Sequence, residues 1–149
     1  MKADEPMKTA RKLMGESIRE IVIPELRRRG FKGSVPHYRR VSDKRIDLLT
    51  FQFNKYGGSF VVEIGSCPSE GITIGGMHIP PSKINVTYLG RRLRLGSVAK
   101  GDDHWFKFGS DVTETPRVVT KSNCDIVARK IISYLDIQAE NFWNEYNIT

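Results

Sequence analysis

The segment from Phe51 to Gly65, FQFNKYGGSFVVEIG, constrains the fold more than any other part of this chain. On both sides of a Gly-Gly, apolar residues recur at the two-residue period of a strand, whose successive side chains point to opposite faces. Two such runs joined by NKYGGS predict a β-hairpin. Pairing Phe53 with Phe60 sets Phe51 opposite Val62 and Leu49 opposite Ile64, so all six share one face. That face is expected to be the core side, covered by helices. The same register puts Gln52 opposite Val61 and Thr50 opposite Glu63 on the other side. There Leu48 and Val61 mix with polar residues, the composition of a half-solvated antiparallel sheet.

The flanking sequence supplies the rest of an α+β domain. Met7 to Val22 carries Met7, Ala10, Leu13, Met14, Ile18, Ile21 and Val22 at three- and four-residue spacing, with Lys8, Arg11, Lys12, Arg19 and Glu20 on the other side. Pro24 lacks an N–H and crowds the preceding turn, so the spacing predicts a kink, or a restart with Pro24 in the first turn of a short helix ending at Arg29. Gly30 then caps that helix and Phe31 plugs the end. Strands are expected at His37 to Val41, Arg45 to Phe53 and Phe60 to Ile64. Cys67 to Ser82 is rich in glycine and proline and reads as an irregular excursion with one extended piece at Ile72 to Ile74. Ile84 to Leu95 reads as one bent strand with a bulge at Gly90, and His104 to Phe108 as a last strand after the turn-like KGDD. Ser122 to Asp125 resembles a capping box that opens a helix with Val127, Ala128, Ile131 and Leu135 on its apolar stripe. Asp136 is expected to cap a final short helix bearing Phe142 and Trp143. The expectation is an antiparallel sheet of about five meander-like strands, flanked by an N-terminal helix and C-terminal helices, with residues 1–149 as one domain.

Composition narrows the function classes. At 149 residues, with 39% hydrophobic and 28% charged side chains, the chain suits one globular core. No apolar run reaches the ~18 residues of a membrane span, and MKADEPMKTARK is charged where a secretory leader would be apolar. Cys67 and Cys124 form no C-x-x-C motif and read as free thiols of a reducing, cytoplasmic compartment. The net charge is +7, and between Glu25 and Arg45 eight basic residues stand against two acids. Such a balance permits nucleic acid, anionic surfaces or acidic proteins as partners without choosing among them.

Several stretches resemble one family. Gly30-Phe31, the YRRV of Tyr38 to Val41, FQFNKYGGSFVVEIG, the RRLRLG of Arg91 to Gly96 and the DHWFKF of Asp103 to Phe108 are similar to the pattern of domain of unknown function 4304 (DUF4304). The resemblance runs from the first helix to the last. It implies a helix-flanked antiparallel sheet in a bacterial cytoplasmic protein, and it implies no reaction, since the family has no assigned activity. Some relatives look like immunity proteins that bind and silence a toxin.

Chemistry-bearing motifs are sparse. His37, His78 and His104 stand far apart without the local ligand pairs of a zinc site, so no metal or other cofactor is expected. Cys67, in GSCPSEG, has no paired histidine nearby in sequence, and there is no G-x-S-x-G elbow. Gly71, Gly75 and Gly76 lack the Gly-Lys-Ser/Thr of a phosphate loop. The reading therefore leans away from an enzyme. The candidate binding residues are Glu63 and Gln52 on the second sheet face, with Arg39, Arg92 and Arg94 as a basic frame. The leading expectation is a cytoplasmic protein-binding module, immunity-like, monomeric or weakly dimeric and not membrane-bound. Its own positive charge favours a partner of neutral or acidic surface. The alternative is a nucleic-acid-binding protein in which Arg27 to Arg29, Arg39, Arg40 and Arg91 to Arg94 merge into one patch, with tyrosines or Trp105 for stacking.

Overall fold

The computed structural model describes residues 5–98, 104–111 and 118–146. The turn KGDD and the first residue of DHWFKF lie outside the described residues.

The chain enters through α1 (Glu5–Ser17), passes through a π-helical turn (Ile18–Val22) and continues as α2 (Ile23–Arg28). The π turn resolves the problem posed by Pro24. Ile23 N–H reaches back five residues to the Ile18 carbonyl, and Pro24 then sits in the first turn of α2, where proline is best tolerated. Gly30 follows with a positive φ of 97°. Its N–H donates to the Arg27 carbonyl and that of Phe31 to Leu26, which closes the helix and buries Phe31 as expected.

Six strands form the main sheet: β1 (Lys32–Ser34), β2 (His37–Val41), β3 (Ile46–Phe53), β4 (Gly57–Cys67), β7 (Arg92–Arg94) and β8 (Phe106–Asp111). Their order is β1-β2-β3-β4-β7, and β8 also pairs with β4, beyond the end of β7. All these pairings are antiparallel. A separate hairpin joins β5 (Ile72–Ile74) to β6 (Met77–Ile79). The C-terminal helix α3 (Lys121–Tyr134) runs through a second π-helical turn (Leu135–Ala139) into α4 (Glu140–Asn144). The architecture is α+β, with β1 and β6 as additions to the sequence reading.

The β3–β4 register is the expected one: Leu49 pairs with Ile64, Phe51 with Val62 and Phe53 with Phe60. On that face Phe60 stacks between Phe53 and Phe106, with ring centroids 4.9 and 5.4 Å apart. Ala10, Met14, Ile18, Ala128, Ile131 and Trp143 pack onto it from the helices. Full burial of the phenylalanine, methionine and isoleucine side chains contributes about 1.5–3 kcal/mol each. Gly57 and Gly58 are not the turn. They open β4, where a Cβ on Gly58 would stand 2.6 Å from the Gly109 backbone, so the glycine is what lets β8 come alongside. The turn is made by Asn54, whose carboxamide oxygen accepts from the Tyr56 N–H at 3.0 Å.

Four expectations are corrected. The second face is not half-solvated along its length. At one end Ile46, Leu48 and Cys67 are buried under Ile84, Val86 and Leu89 of the excursion. Ile84 to Leu95 is not one bent strand: Asn85 caps a 3-10 turn at Val86–Tyr88, and only Arg92–Arg94 pairs. The cap of α3 is Thr120, whose hydroxyl accepts from the Asn123 N–H at 3.2 Å, rather than Ser122. Asp136 caps nothing, because the helix continues through the π turn, and its carboxylate pairs with Arg29 instead.

Candidate functional site

Alternation along four strands sets His37, Thr50, Glu63 and Arg94 in one cross-strand row on the second face. His37 Nδ1 and Thr50 Oγ1 are 2.9 Å apart. Glu63, with a side chain only 12% exposed, stands 3.7 Å from Arg94 Nε and 3.9 Å from Arg92 Nη1. Those separations exceed hydrogen-bond length, so the attraction is coulombic, and exposed N–H groups of Arg92 remain open to solvent. The Arg94 guanidinium lies 5.5 Å from the Trp105 ring centroid, a cation–π contact. Trp105 itself is 37% exposed. By alternation with Phe106 it belongs to the same face as Lys107.

Of the sequence candidates, the structure brings together Glu63, Arg92 and Arg94. Gln52 lies on the same face one row beyond Thr50, and it is exposed. Arg39 does not join them: it pairs with Leu48, and β3 and β4 separate it from Arg92. His37 and Thr50 were missed as members of the site. The signal existed, because continuing the register across the β2–β3 turn would have placed His37 opposite Thr50.

The remaining arginines of the basic run serve the fold. Arg40 faces the helices, pairing with Asp47 at 2.8 Å and with Glu140 at 2.9 Å. Arg45 holds the other Asp47 oxygen at 2.7 Å. Arg29 joins Glu25 at 2.6 Å, Glu140 at 3.1 Å and Asp136. The network ties α2, β2, β3 and α4 together. Arg28, and then Arg29, hold the Glu25 carboxyl down at about 2. Burial pushes Glu140 up, but the hydrogen bonds and charges of Arg40 and Arg29 outweigh it and leave that carboxyl below its usual value. Arg91 points to the C-terminal helix, donating to the Phe142 carbonyl at 2.8 Å. The arginines therefore do not form one patch.

Both thiols are buried and free. Burial pushes Cys67 up to about 11 and raises Cys124 as well, so neither is a ready nucleophile. Among the described residues no group of three or more His, Cys, Asp or Glu could hold a metal ion. No helix among them is long and apolar enough to cross a membrane.

A sheet covered by helices on one face, with Glu63, Arg92, Arg94 and Trp105 gathered near one edge of the other, defines an α+β protein. The chain belongs to the family described as Domain of unknown function (DUF4304), whose model matches residues 22–143. Nothing among curated proteins or among solved structures matches it.

Proposed function

We propose that the chain is a cytoplasmic protein-binding module, of the kind expected of immunity-like proteins, that takes a partner on the exposed edge of its second sheet face around Trp105 and Arg92. The observation that carries this reading is Trp105, 37% exposed and in cation–π contact with Arg94, which stands beside Glu63 and Arg92. Exposed tryptophan and arginine side by side are the residue types that dominate protein–protein hot spots. Ion pairing to Glu63 limits the freedom Arg94 must lose on binding. The chain's net charge of +7, with Arg92 and Lys107 exposed on this face, suits a neutral or acidic partner. Two buried free thiols fit a reducing compartment.

The test is affinity capture from the native cell with the wild-type chain and with Trp105→Ala in parallel. A stoichiometric protein held by the first and lost by the second is the expected result. Failure of both to retain a stoichiometric protein, or equal retention by both, overturns the proposal. The net charge of +7 favours nucleic acid as the second reading. Against it stand Arg28, Arg29, Arg40 and Arg45, whose guanidinium groups are taken up by carboxylates of the fold. Titration with single- and double-stranded nucleic acid separates the two. Binding that falls steeply with rising salt would replace the protein-partner reading.

A further inference from the structure

The β5–β6 hairpin carries its apolar residues on one face: Ile72 pairs with Ile79 and Ile74 with Met77. Ile72 and Ile79 pack onto the second core, but Ile74 and Met77 run past its rim and are 46% and 69% exposed. The connecting Gly75 and Gly76 have φ of 56° and 79°, the two positive values a type I′ turn requires. A Cβ on either would meet nothing within 4 Å, so the tip stands clear of the body. Among the described residues neither strand has a second strand neighbour.

The charge pattern says what can cover this tip. From Cys67 to Leu89 the only charged side chains are Glu70 and Lys83, in a chain of net charge +7. A two-fold contact sets the same patch against its own copy, so a patch of net positive charge meets another of net positive charge. This neutral, apolar tip is a place where two strongly basic copies can touch without that penalty. We infer that the hairpin is a self-association site, where Ile74 and Met77 of one copy pack against Ile74 and Met77 of a second. A tip of six strand residues covers far less than the ~800 Å² per partner of a stable interface, so the dimer is weak and forms as concentration rises. The inference is independent of the partner proposed for the Trp105 strip.

Sedimentation equilibrium of the full chain over about 10–500 µM is the test, a range that brackets weak association. The weight-average mass should climb from 17.0 kDa toward twice that value. Added salt should leave the association unchanged or strengthen it, by screening the repulsion between the two basic bodies. Ile74→Thr/Met77→Thr should raise the dissociation constant by at least about tenfold, since two exposed apolar contacts per copy are lost. Met77→Arg alone, at the most exposed position, should do the same through like-charge apposition, and its unchanged melting midpoint would show an intact fold. A mass of one chain at every concentration, or a dimer that survives both variants, overturns the inference.

Discussion

The two faces of the sheet are made from the same strands by the same alternation, yet they are finished differently. Towards the helices, Phe53, Phe60, Phe106 and Phe108 meet Met14, Ile131 and Leu135 in a continuous core. An ion network around Asp47 and Glu140 seals one end of that core. On the other face a glycine- and proline-rich excursion covers one end, leaving the Gln52 to Arg94 strip outside it. The pattern shows that a polar residue inside an apolar run marks a face, and that what covers the face decides whether the residue binds or merely solvates.

Core truncation tests this contrast with the largest effect. Phe60→Ala should cost about 3–5 kcal/mol, and Ile84→Ala, in the smaller second core, about 2–3 kcal/mol, both read from urea denaturation. Equal losses would erase the distinction between the cores. Next, Asp47→Asn should cost about 3 kcal/mol, because its side chain is only 4% exposed, Arg45 would lose this charge partner and Arg40 would keep only Glu140. A loss under about 1 kcal/mol would show that the network does not seal the core.

Acid should act on the same network. Glu25 and Glu140 ionise at lower pH in the folded chain than their ordinary 4.5. Their contribution is therefore fully present above that value and is lost as pH falls towards the folded-state values, about 2 for Glu25. Thermal midpoints measured from neutral pH down through this window should drop, and Glu140→Gln should flatten the decline. A wild-type curve without that slope would contradict the ion pairing. The smallest effects belong to the Gln52 to Arg94 strip. Glu63→Gln and Gln52→Ala should each change stability by less than about 1 kcal/mol. A larger loss from Glu63→Gln would make the strip a structural element rather than a binding surface.

Much of the helical face was legible in the sequence. The Phe53–Phe60 register follows from alternation, and the helix end at Gly30-Phe31 follows from a residue that tolerates positive φ next to an apolar plug. The family resemblance was legible from the same aromatic and glycine positions. Other features depend on partners distant in sequence. The role of Gly58 is set by Gly109, 51 positions away, and no local pattern reveals that approach. The misread Ile84 to Leu95 segment has strand-like composition, but Asn85 bends its backbone into a turn and Leu89 lands on Gly65. The candidate site was half legible: Glu63 with Arg92 and Arg94 could be suspected, whereas His37, Thr50 and the position of Trp105 needed the strand order.

By itself, then, the sequence determined the period of each element, the facing pairs of the central hairpin and the positions where glycine and proline interrupt the chain. These are local consequences of backbone geometry and side-chain alternation. Tertiary structure alone decided that β7 and β8 share β4, that Arg29, Arg40 and Arg45 are held by carboxylates, and that Arg94 meets Trp105. Those outcomes are contacts between segments far apart in the chain. They form only where burial and charge pairing across the whole fold offset the entropy of bringing such segments together.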